Sequence, residues 1–312
     1  MNLESTLFDL AIIGGGPAGV AAGVYAARKK LKTVFITFDF NSQSAVSMDV
    51  QNWIGTVSLS GQELADNFKK HLKAYAADSV FIKEGEKAVA VTKSGENFTV
   101  KTDKAEYQSK TVLIATGSKR RQLEAKGADI FENKGITYCA SCDGPLFADK
   151  DTVVIGGGNA GFETAAQLLA YAKSVTLIHR SNEFRADPVT VEKVLKNPKM
   201  KAFKNIETLE VKGDKFVKSI VIKDVNTGKI TDLPTEGIFV EIGLVPNTDY
   251  VADLIKLDQY KRIPIDTKNQ QTSVKGVWAA GDCTDILYHQ NNIAAGDGVK
   301  ALEDIYMYLH AK

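Results

Sequence analysis

The sequence is poor in cysteine and histidine, carries almost no net charge and has no long apolar run. Its 312 residues include three cysteines and four histidines, and the formal net charge is +1. Three cysteines are too few for the disulfide framework of a small secreted domain, and a nearly neutral chain has no general attraction to nucleic acid. No apolar stretch approaches the roughly 20 residues of a membrane helix, and residues 1–5 lack the positive charge that opens a secretory signal. These absences predict a cytoplasmic protein with neither a nucleic-acid nor a membrane partner.

The scarcity of ligating residues also argues against a metal site. The four histidines, which are scattered rather than spaced as ligand pairs, are His71, His179, His289 and His310. A zinc site needs about four Cys or His ligands, and the sequence offers no such group. Basic residues are not clustered either. The run Lys-Arg-Arg at residues 119–121 is short and is interpreted as part of a solvated face.

The most informative stretch is residues 138–145, in which Cys139 and Cys142 stand two residues apart. Such a pair can close a small disulfide ring, and one of its thiols is often acidified to the reactive thiolate. In a cytoplasmic protein the pattern is more often catalytic than structural. The two cysteines could also be buried spectators, because free cysteine packs as a small hydrophobe. Their position between two glycine-rich fingerprints favours the redox interpretation.

The first fingerprint, Gly14-Gly15-Gly16-Pro17-Ala18-Gly19, follows a short apolar run that is typical of a buried parallel strand. In this pattern Gly14 permits a tight turn, Gly16 the approach of a pyrophosphate, and Gly19 the close packing of a helix. Free N–H groups at the start of that helix then meet the phosphates. Asp39 lies near the end of the next predicted strand, about where an acid that binds a ribose is expected.

The second fingerprint runs from Gly156 to Gly161 and follows the predicted strand 151–155. The next predicted strand ends in His179 and Arg180 rather than in an acid, and Arg185 follows. Basic groups here suit a 2′-phosphate better than a free ribose hydroxyl, although they could also be surface charges on a loop. A dithiol between two dinucleotide-binding folds suggests that electrons pass from a nicotinamide through a flavin to a disulfide.

The remaining patterns predict how the chain is divided. Residues 80–82, 88–92 and 98–102 alternate as strands do and predict a β-meander inserted in the first domain. Residues 216–224 and 229–234 predict a hairpin in the second domain, and residues 296–309 predict a terminal helix. One strand and one helix cannot form a domain alone, so we expect the tail to complete the first domain. The two glycine-rich units resemble a diverged internal duplication.

Together these elements resemble the low-molecular-weight thioredoxin reductase family of FAD-dependent pyridine nucleotide-disulfide oxidoreductases, over essentially the whole chain. The motifs that carry the resemblance are Gly14-x-Gly16-Pro17-Ala18-Gly19, Asn52-Trp53-x-Gly55, Ala115-Thr116-Gly117, Cys139-x-x-Cys142-Asp143-Gly144-Pro145, Gly156-Gly157-Gly158-Asn159, Pro246-Asn247-Thr248 and Ala279-Ala280-Gly281-Asp282. Residues 142–147 and 281–284 are also similar to the flavoprotein subunit of alkyl hydroperoxide reductase. That flavoprotein has an additional amino-terminal redox domain, which this sequence does not show, so the smaller enzyme is the expected match.

The resemblance implies an α/β fold with two Rossmann-like dinucleotide-binding domains (three-layer ββα), the second inserted into the first. Residues 1–116 and 246–312 would form a discontinuous FAD-binding domain. Residues 117–245 would form a NAD(P)H-binding-like domain that carries the redox pair. The implied activity is that of an FAD-dependent thioredoxin-disulfide reductase, with NADPH as the donor, thioredoxin or a thioredoxin-like protein as the partner, and a homodimer as the assembly.

The resemblance also assigns roles to residues. Cys142 would lie against the flavin ring, Cys139 would attack the partner's disulfide, and Asp143 would move protons as thiolates form and leave. The residues expected to bind FAD are Gly14, Gly16, Pro17, Ala18, Gly19, Asp39, Gln43, Asn52, Ala115, Thr116, Gly117, Gly281, Asp282, Gln290, Asn291 and Asn292. The residues expected to bind NADPH are Gly156, Gly158, Asn159, Ala160, Gly161, His179, Arg180 and Arg185. No metal is expected.

The sequence departs from the family's pattern in three places. The usual Gly-Gly-Gln after the second strand is Asn41-Ser42-Gln43, so only the glutamine remains. The basic residue expected before Gln290 is His289, and the usual His-Arg-Arg is His179-Arg180-Ser181. These departures bear on the electron donor more than on the dithiol chemistry.

Three alternatives therefore stay open. The same dithiol flavoenzyme could take electrons from NADH or from ferredoxin instead of NADPH. It could run in the opposite direction, as a dithiol oxidase that passes electrons to oxygen. It could also be a flavin- or nucleotide-binding module without redox turnover, although a binder does not require both cysteines and Asp143 beside a dinucleotide fold.

Overall fold

The computed structural model describes residues 6–47 and 49–311, and only the backbone of Val46. Residues 1–5, on which the expected absence of a signal rests, lie outside the described residues. The chain divides into two compact units, Met1–Lys119 with Val245–Lys312 (unit 1) and Arg120–Leu244 (unit 2). The boundaries expected from the sequence were residues 116/117 and 245/246.

The elements of the described chain alternate between strands and helices. The strands are β1 (Leu7–Ile13), β2 (Thr33–Thr37), β3 (Val80–Glu84), β4 (Ala88–Ser94), β5 (Asn97–Thr102), β6 (Glu106–Ile114), β7 (Ser118–Arg120), β8 (Ile136–Thr137), β9 (Asp151–Ile155), β10 (Ser174–Ile178), β11 (Met200–Phe203), β12 (Ile206–Gly213), β13 (Val217–Asp224), β14 (Ile230–Pro234), β15 (Gly237–Val240), β16 (Leu244–Pro246) and β17 (Val277–Ala279). The α-helices are α1 (Pro17–Arg28), α2 (Gly61–Ala76), α3 (Ala140–Asp143), α4 (Asn159–Leu168), α5 (Pro188–Leu195) and α6 (Asn291–His310).

Unit 1 is built on a seven-stranded sheet in the order β3-β2-β1-β6-β5-β4, with β17 also paired to β6. Strands β3, β2, β1, β6 and β17 are parallel, whereas β4 and β5 continue from β6 as antiparallel neighbours. The long strand β6 changes partner along its length. It pairs with β5 up to Ser109 and with β17 from Val112 onward.

Alternate residues of β1 supply two different cores, because successive side chains of a strand point to opposite faces. Leu10 and Ile12 join the core formed with α1, α2 and α6. Ala11 and Ile13 join the core formed with the β4–β5 meander. Each fully buried Leu or Ile side chain contributes about 1.5–3 kcal/mol relative to an exposed one. The sheet is therefore covered on one face by helices and on the other by strands.

Unit 2 repeats this plan with a parallel sheet in the order β11-β10-β9-β15-β8 and a separate antiparallel sheet, β12-β13-β14. Val154 and Leu177 pack with α4 on one face. Val153 and Ile178 pack with β12 and β13 on the other. The α/β class and the two Rossmann-like ββα units predicted from the sequence are confirmed. The short strands at the two crossings, β7 and β16, pair with each other.

Three local predictions were wrong in part. Residues 80–82 belong not to a meander but to β3, which pairs in parallel with β2 at the sheet edge. The predicted hairpin is the second half of a three-stranded sheet, since β12 precedes it. Helix α6 begins at Asn291, five residues before the predicted start, so Asn291 and Asn292 form its first turn.

No helix in the described part of the chain is long and apolar enough to cross a membrane. Within the same residues, no group of three or more His, Cys, Asp or Glu side chains is arranged to hold a metal ion.

Candidate active site

The redox pair is a disulfide between Cys139 and Cys142 in unit 2, with a Cα–Cα distance of 5.3 Å. Cys139 caps the single turn of α3, and its carbonyl accepts hydrogen bonds from the N–H groups of Cys142 (3.2 Å) and Asp143 (3.0 Å). One helical turn over two intervening residues is what brings the two Sγ atoms together. Both cysteines are partly exposed, so the disulfide is accessible to another thiol.

Asp143 lies directly beside this disulfide in a half-buried position. The hydroxyl of Thr137, on β8, donates to Asp143 Oδ2. Burial raises the pKa of Asp143, and the Thr137 hydrogen bond and the charge of Arg120 oppose that rise. A carboxyl group with a raised pKa can hold a proton next to a thiol, as a general acid must.

Arg120 fixes the residue that precedes the redox pair. Its Nη1 donates to the carbonyl oxygen of Tyr138, and its guanidinium carbon lies 5.7 Å from the centre of the Tyr138 ring. The Tyr138 hydroxyl donates in turn to Glu132. The prediction that residues 119–121 form a solvated face is therefore wrong for Arg120, which is partly buried. Sequence reasoning missed Arg120, Thr137 and Glu132 because no local motif marks these contacts.

The glycine loop of unit 1 has the shape that a pyrophosphate requires. A Cβ on Gly14 would lie 2.2 Å from the carbonyl oxygen of Ala115, and one on Gly19 would lie 1.9 Å from that of Gly14. A Cβ on Gly16 would meet no atom within 4 Å. Gly16 caps α1 without any side-chain hydrogen bond, so the first N–H groups of the helix face open space. This arrangement fits the phosphates of FAD, because unpaired helix N–H groups attract anions.

The structure brings Asp39 next to this loop. A Cβ on Gly15 would lie 2.3 Å from the Asp39 carbonyl oxygen, so the two backbones are in contact. The Asp39 carboxylate accepts a hydrogen bond from the N–H of Asn41 at 2.9 Å, and the side chain is partly exposed. Its position at the end of β2 is where a ribose-binding acid stands in a Rossmann unit.

The other predicted FAD residues are joined by a network of hydrogen bonds within unit 1. Gln43 Nε2 donates to Asp282 Oδ2 (3.1 Å) and Asn52 Nδ2 donates to Gln290 Oε1 (3.3 Å). Asn292 Nδ2 donates to the Asn52 carbonyl oxygen at 2.7 Å. The contacts that sequence reasoning missed are Ser118 Oγ with Gln43 (3.2 Å), Ser44 Oγ with Asn291 (2.8 Å), and His289 Nδ1 beside Asp282 Oδ1 (3.4 Å).

Residues 115–117 follow β6 and are held by the return segment of the chain. The Thr116 hydroxyl donates to the Asn247 carbonyl oxygen (2.7 Å), and Asn247 Nδ2 donates to the Thr116 carbonyl oxygen (2.9 Å). Gly117 has a φ of +61°, which favours glycine. The predicted motifs Ala115-Thr116-Gly117 and Pro246-Asn247-Thr248 are thus neighbours in space.

The glycine loop of unit 2 has the same construction as the first. A Cβ on Gly156 would lie 2.1 Å from the Glu241 carbonyl oxygen, and one on Gly161 would lie 2.1 Å from that of Gly156. Gly158, like Gly16, faces open space and caps its helix without a side-chain hydrogen bond. The loop therefore fits the pyrophosphate of a second dinucleotide, with Ala160 in the first turn of α4.

The predicted 2′-phosphate residues differ in their exposure. Arg180 and Arg185 have exposed side chains, and the backbone N–H of Arg185 donates to Gly157 O at 2.7 Å. His179 is buried, and its Nδ1 accepts a hydrogen bond from Gly157 N–H at 3.1 Å. Burial and the nearby cations lower the pKa of His179. The imidazole thus supports the loop as a neutral acceptor, and the two arginines are the groups open to a ligand.

Comparisons with known proteins place this chain in a family. The family model for pyridine nucleotide-disulphide oxidoreductases matches residues 8–298. Over 97% of its length the chain is 38% identical to the flavoprotein (F) component of alkyl hydroperoxide reductase of Escherichia coli and 36% identical to a protein named NADH dehydrogenase of Bacillus subtilis. It spans 58% of each of those two proteins.

Among solved structures, thioredoxin reductase of Streptococcus pyogenes is 34% identical, with a TM-score of 0.88. The match covers 98% of this chain and 99% of that one. The similarity to the alkyl hydroperoxide reductase flavoprotein is therefore much wider than the two segments that suggested it. Members of the matched family combine FAD with a nicotinamide nucleotide, the two kinds of cofactor that the sequence predicts. The chain belongs to the pyridine nucleotide-disulphide oxidoreductase family.

Proposed function

We propose that the chain is an FAD-dependent thioredoxin-disulfide reductase that passes electrons from NADPH, through FAD and the Cys139–Cys142 pair, to the disulfide of thioredoxin or a similar small redox protein. The observation that carries the proposal is the accessible Cys139–Cys142 disulfide, with the proton-holding carboxyl of Asp143 beside it, in the unit that also carries the second nucleotide loop. The likeness to a thioredoxin reductase along nearly the full length of both chains supports it.

The two ends of FAD have separate candidate contacts in unit 1. Gly14–Gly19 and the start of α1 would hold the pyrophosphate, and Asp39 would hold the adenosine ribose. Asp282 and the start of α6 would hold the flavin end, together with Gln43. Bound there, FAD would supply the two-electron carrier between a nicotinamide and a disulfide.

The exchange with the partner needs only groups of this chain. In the reduced dithiol, the Cys139 thiolate attacks one sulfur of the partner's disulfide, forming a mixed disulfide and releasing the other partner sulfur as a thiolate. Cys142 then attacks Cys139 Sγ, which closes the Cys139–Cys142 disulfide and releases the second partner thiolate. Asp143 can give its proton to a leaving sulfur, which makes that sulfur a better leaving group.

The choice of NADPH rests on cations at the end of β10. Arg180 and Arg185 are exposed beside the second glycine loop, and Lys204 adds a third positive charge. Lys204 Nζ lies 5.2 Å from the centre of the Phe184 ring, and the N–H of Asn205 donates to the Ser181 carbonyl oxygen at 3.2 Å. Lys204 thus stands beside the position where the family's second arginine is replaced by serine.

A second candidate function follows from the similarity to the flavoprotein component of alkyl hydroperoxide reductase. The chain would then serve as the flavoprotein reductase of a peroxide-reducing system, delivering electrons to a small disulfide carrier. The similarity over 97% of the chain favours this candidate. Because the chain spans only 58% of that protein's length, the carrier in this candidate system would be a separate protein.

An anaerobic titration tests the donor and the acceptor separately. Purified protein with bound FAD is mixed with NADPH, NADH or reduced ferredoxin, and bleaching of the flavin absorbance is followed. Oxidised thioredoxin is then added, and return of the flavin absorbance is followed. We expect bleaching by NADPH and reoxidation by thioredoxin. Reoxidation by oxygen but not by thioredoxin would support a dithiol oxidase instead, and a flavin that no donor bleaches would support a binding module.

A further inference from the structure

The parallel sheet of unit 2 has a crevice at the carboxyl ends of its strands. Strand β9 lies between β10 and β15, so the chain leaves β9 toward one side of the sheet and returns on the other. In doubly wound sheets a dinucleotide binds outside the carboxyl ends of the strands at such a switch point. The Gly156–Gly161 turn follows β9 and marks the centre of that crevice.

The cations define the direction in which a nucleotide lies across the crevice. Arg180 follows β10, on one side of β9, and is a candidate for the 2′-phosphate of the adenosine half. The nicotinamide half must then extend from the glycine loop to the other side, toward the end of β15. The first residue after β15 is Glu241.

Glu241 is held firmly and has an unusual environment for a carboxyl group. Its Oε1 accepts a hydrogen bond from the Thr164 hydroxyl of α4 at 2.7 Å, and its carbonyl oxygen lies against Gly156. Burial raises the pKa of Glu241 to about 7, the charge of Glu163 raises it slightly further, and Thr164 and Arg120 lower it. The residue is still partly exposed, so a ligand in the crevice can approach it.

We propose that Glu241 senses the charge of the nicotinamide ring, standing as a neutral acid beside the reduced ring and as a carboxylate beside the oxidised, cationic ring. The inference rests on the proposed nicotinamide donor. A cation in a partly buried site stabilises a nearby carboxylate much more than it would in water. Oxidised nucleotide therefore releases the proton of Glu241 on binding, and by linkage its affinity rises with pH, whereas that of the reduced nucleotide does not.

The test measures binding of NADP+, NADPH and 2′,5′-ADP to the FAD-loaded protein by calorimetry at pH values on both sides of 7. The fragment 2′,5′-ADP carries the same 2′-phosphate but no nicotinamide, so it corrects for titration of the phosphate and of the residues around it. We expect the affinity for NADP+, relative to 2′,5′-ADP, to rise about tenfold from about pH 6 to about pH 8. Glu241→Gln should abolish this rise, and NADPH should show none in either protein.

Two further variants make the result specific. Glu236→Gln removes an exposed carboxyl at the amino end of the same strand and should leave the pH profile unchanged. Thr164→Val removes a hydrogen bond that favours the carboxylate, so the rise should move to higher pH. The Thr164 variant keeps the test decisive if Glu241→Gln does not fold.

The outcomes that overturn the inference are distinct from failure of the proposed donor. If NADP+ and 2′,5′-ADP bind but the profile is the same in the parent and Glu241→Gln, Glu241 does not sense the ring and the donor proposal stands. If the profile of Thr164→Val does not move, the inference is overturned as well. If neither NADP+ nor 2′,5′-ADP binds at millimolar concentration, the NADPH proposal fails and takes the inference with it.

Discussion

The side-chain amide of Gln43 donates a hydrogen bond to the carboxylate of Asp282, which is 239 residues further along the chain, at 3.1 Å. The same nitrogen lies 3.2 Å from the Ser118 hydroxyl. Gln43 is the one residue that the sequence keeps from the family's Gly-Gly-Gln pattern. Its side chain joins the loop after β2 to the acid after β17, so its presence here has a structural reason within unit 1.

We expect Gln43→Ala to weaken FAD binding, because Asp282 loses a donor that fixes its orientation. Both side chains are partly exposed, so the loss should be about 1 kcal/mol, or about fivefold in Kd. Titration of the apoprotein with FAD, followed by flavin fluorescence, measures it. Gln51→Ala is a matched control, since Gln51 lies in the same loop but bonds the exposed Asp49 at 2.6 Å. Equal FAD affinity in the two variants would contradict the prediction.

The two thiols of the redox pair should differ when each is left alone. Cys139→Ser should leave the Cys142 thiolate to interact with oxidised flavin and give a long-wavelength charge-transfer band, whereas Cys142→Ser should give none. Both variants should lose disulfide reductase activity. The absorption spectrum and a thioredoxin-reduction assay check this. The opposite pattern of bands would exchange the two roles, and full activity in either variant would exclude the dithiol mechanism.

Cys283→Ala is the control for that experiment. Cys283 is fully buried, its Sγ donates to the carbonyl oxygens of Ile114 (3.6 Å) and Ala280 (3.4 Å), and burial raises its pKa to about 12. A thiol with so high a pKa is not a nucleophile near neutral pH. The variant should therefore keep both the reductase activity and the spectrum of the parent.

Asp143→Asn should slow the reduction of thioredoxin by about tenfold to a hundredfold, because an amide cannot give a proton to a leaving thiolate. Thr137→Val supplies the directional test. The Thr137 hydroxyl lowers the pKa of Asp143, so its removal should raise that pKa and extend activity to higher pH. The pH profile of kcat shows the shift. A basic limb at the same pH in Thr137→Val and the parent would show that Asp143 is not the proton donor.

The sequence predicted those parts of the site that depend on consecutive residues. The two glycine loops, Cys139 with Cys142, and the strands before each loop are local patterns, and each was recognisable without the fold. Strand β12 was missed because its pairing with β13 is irregular between Thr208 and Glu210 and again between Lys212 and Gly213. Each irregularity interrupts the alternation of buried and exposed residues on which strand prediction relies.

The remaining parts depend on which residues the fold brings together. Arg120 reads as one of three adjacent basic residues, and only the structure shows that it bonds the Tyr138 carbonyl. Glu241 reads as one acid after a buried strand, and its raised pKa comes from burial next to Thr164 and the Gly156 loop. No local pattern contains such contacts, because the partners are distant in sequence.

Glu241 should also make the stability of the free protein depend on pH. Its pKa is raised from 4.5 in the unfolded chain to about 7, so the folded state holds the proton more tightly. The stabilising effect is fully present below about pH 4.5, falls as the pH rises, and is lost above about pH 7. Relative to Glu241→Gln, the parent should lose on the order of 1–3 kcal/mol between about pH 5 and about pH 8. Urea unfolding of both proteins at these two pH values measures the difference, and parallel changes in stability would refute it.

The donor site should respond to changes in its positive charge. A 2′-phosphate carries roughly two negative charges at neutral pH and is best held by the planar fork of arginine. Ser181→Arg should therefore tighten NADPH binding about tenfold, raise turnover at low NADPH and leave NADH binding unchanged. Lys204→Ala should weaken NADPH binding about threefold to tenfold, and Lys201→Ala, on the adjoining strand β11, is the matched control. Equilibrium binding and the rate of flavin bleaching measure these effects. If neither the parent nor Ser181→Arg shows bleaching by millimolar NADPH, while reduced ferredoxin bleaches the flavin quickly, the electrons come from ferredoxin and the cations at the end of β10 do not serve a nucleotide.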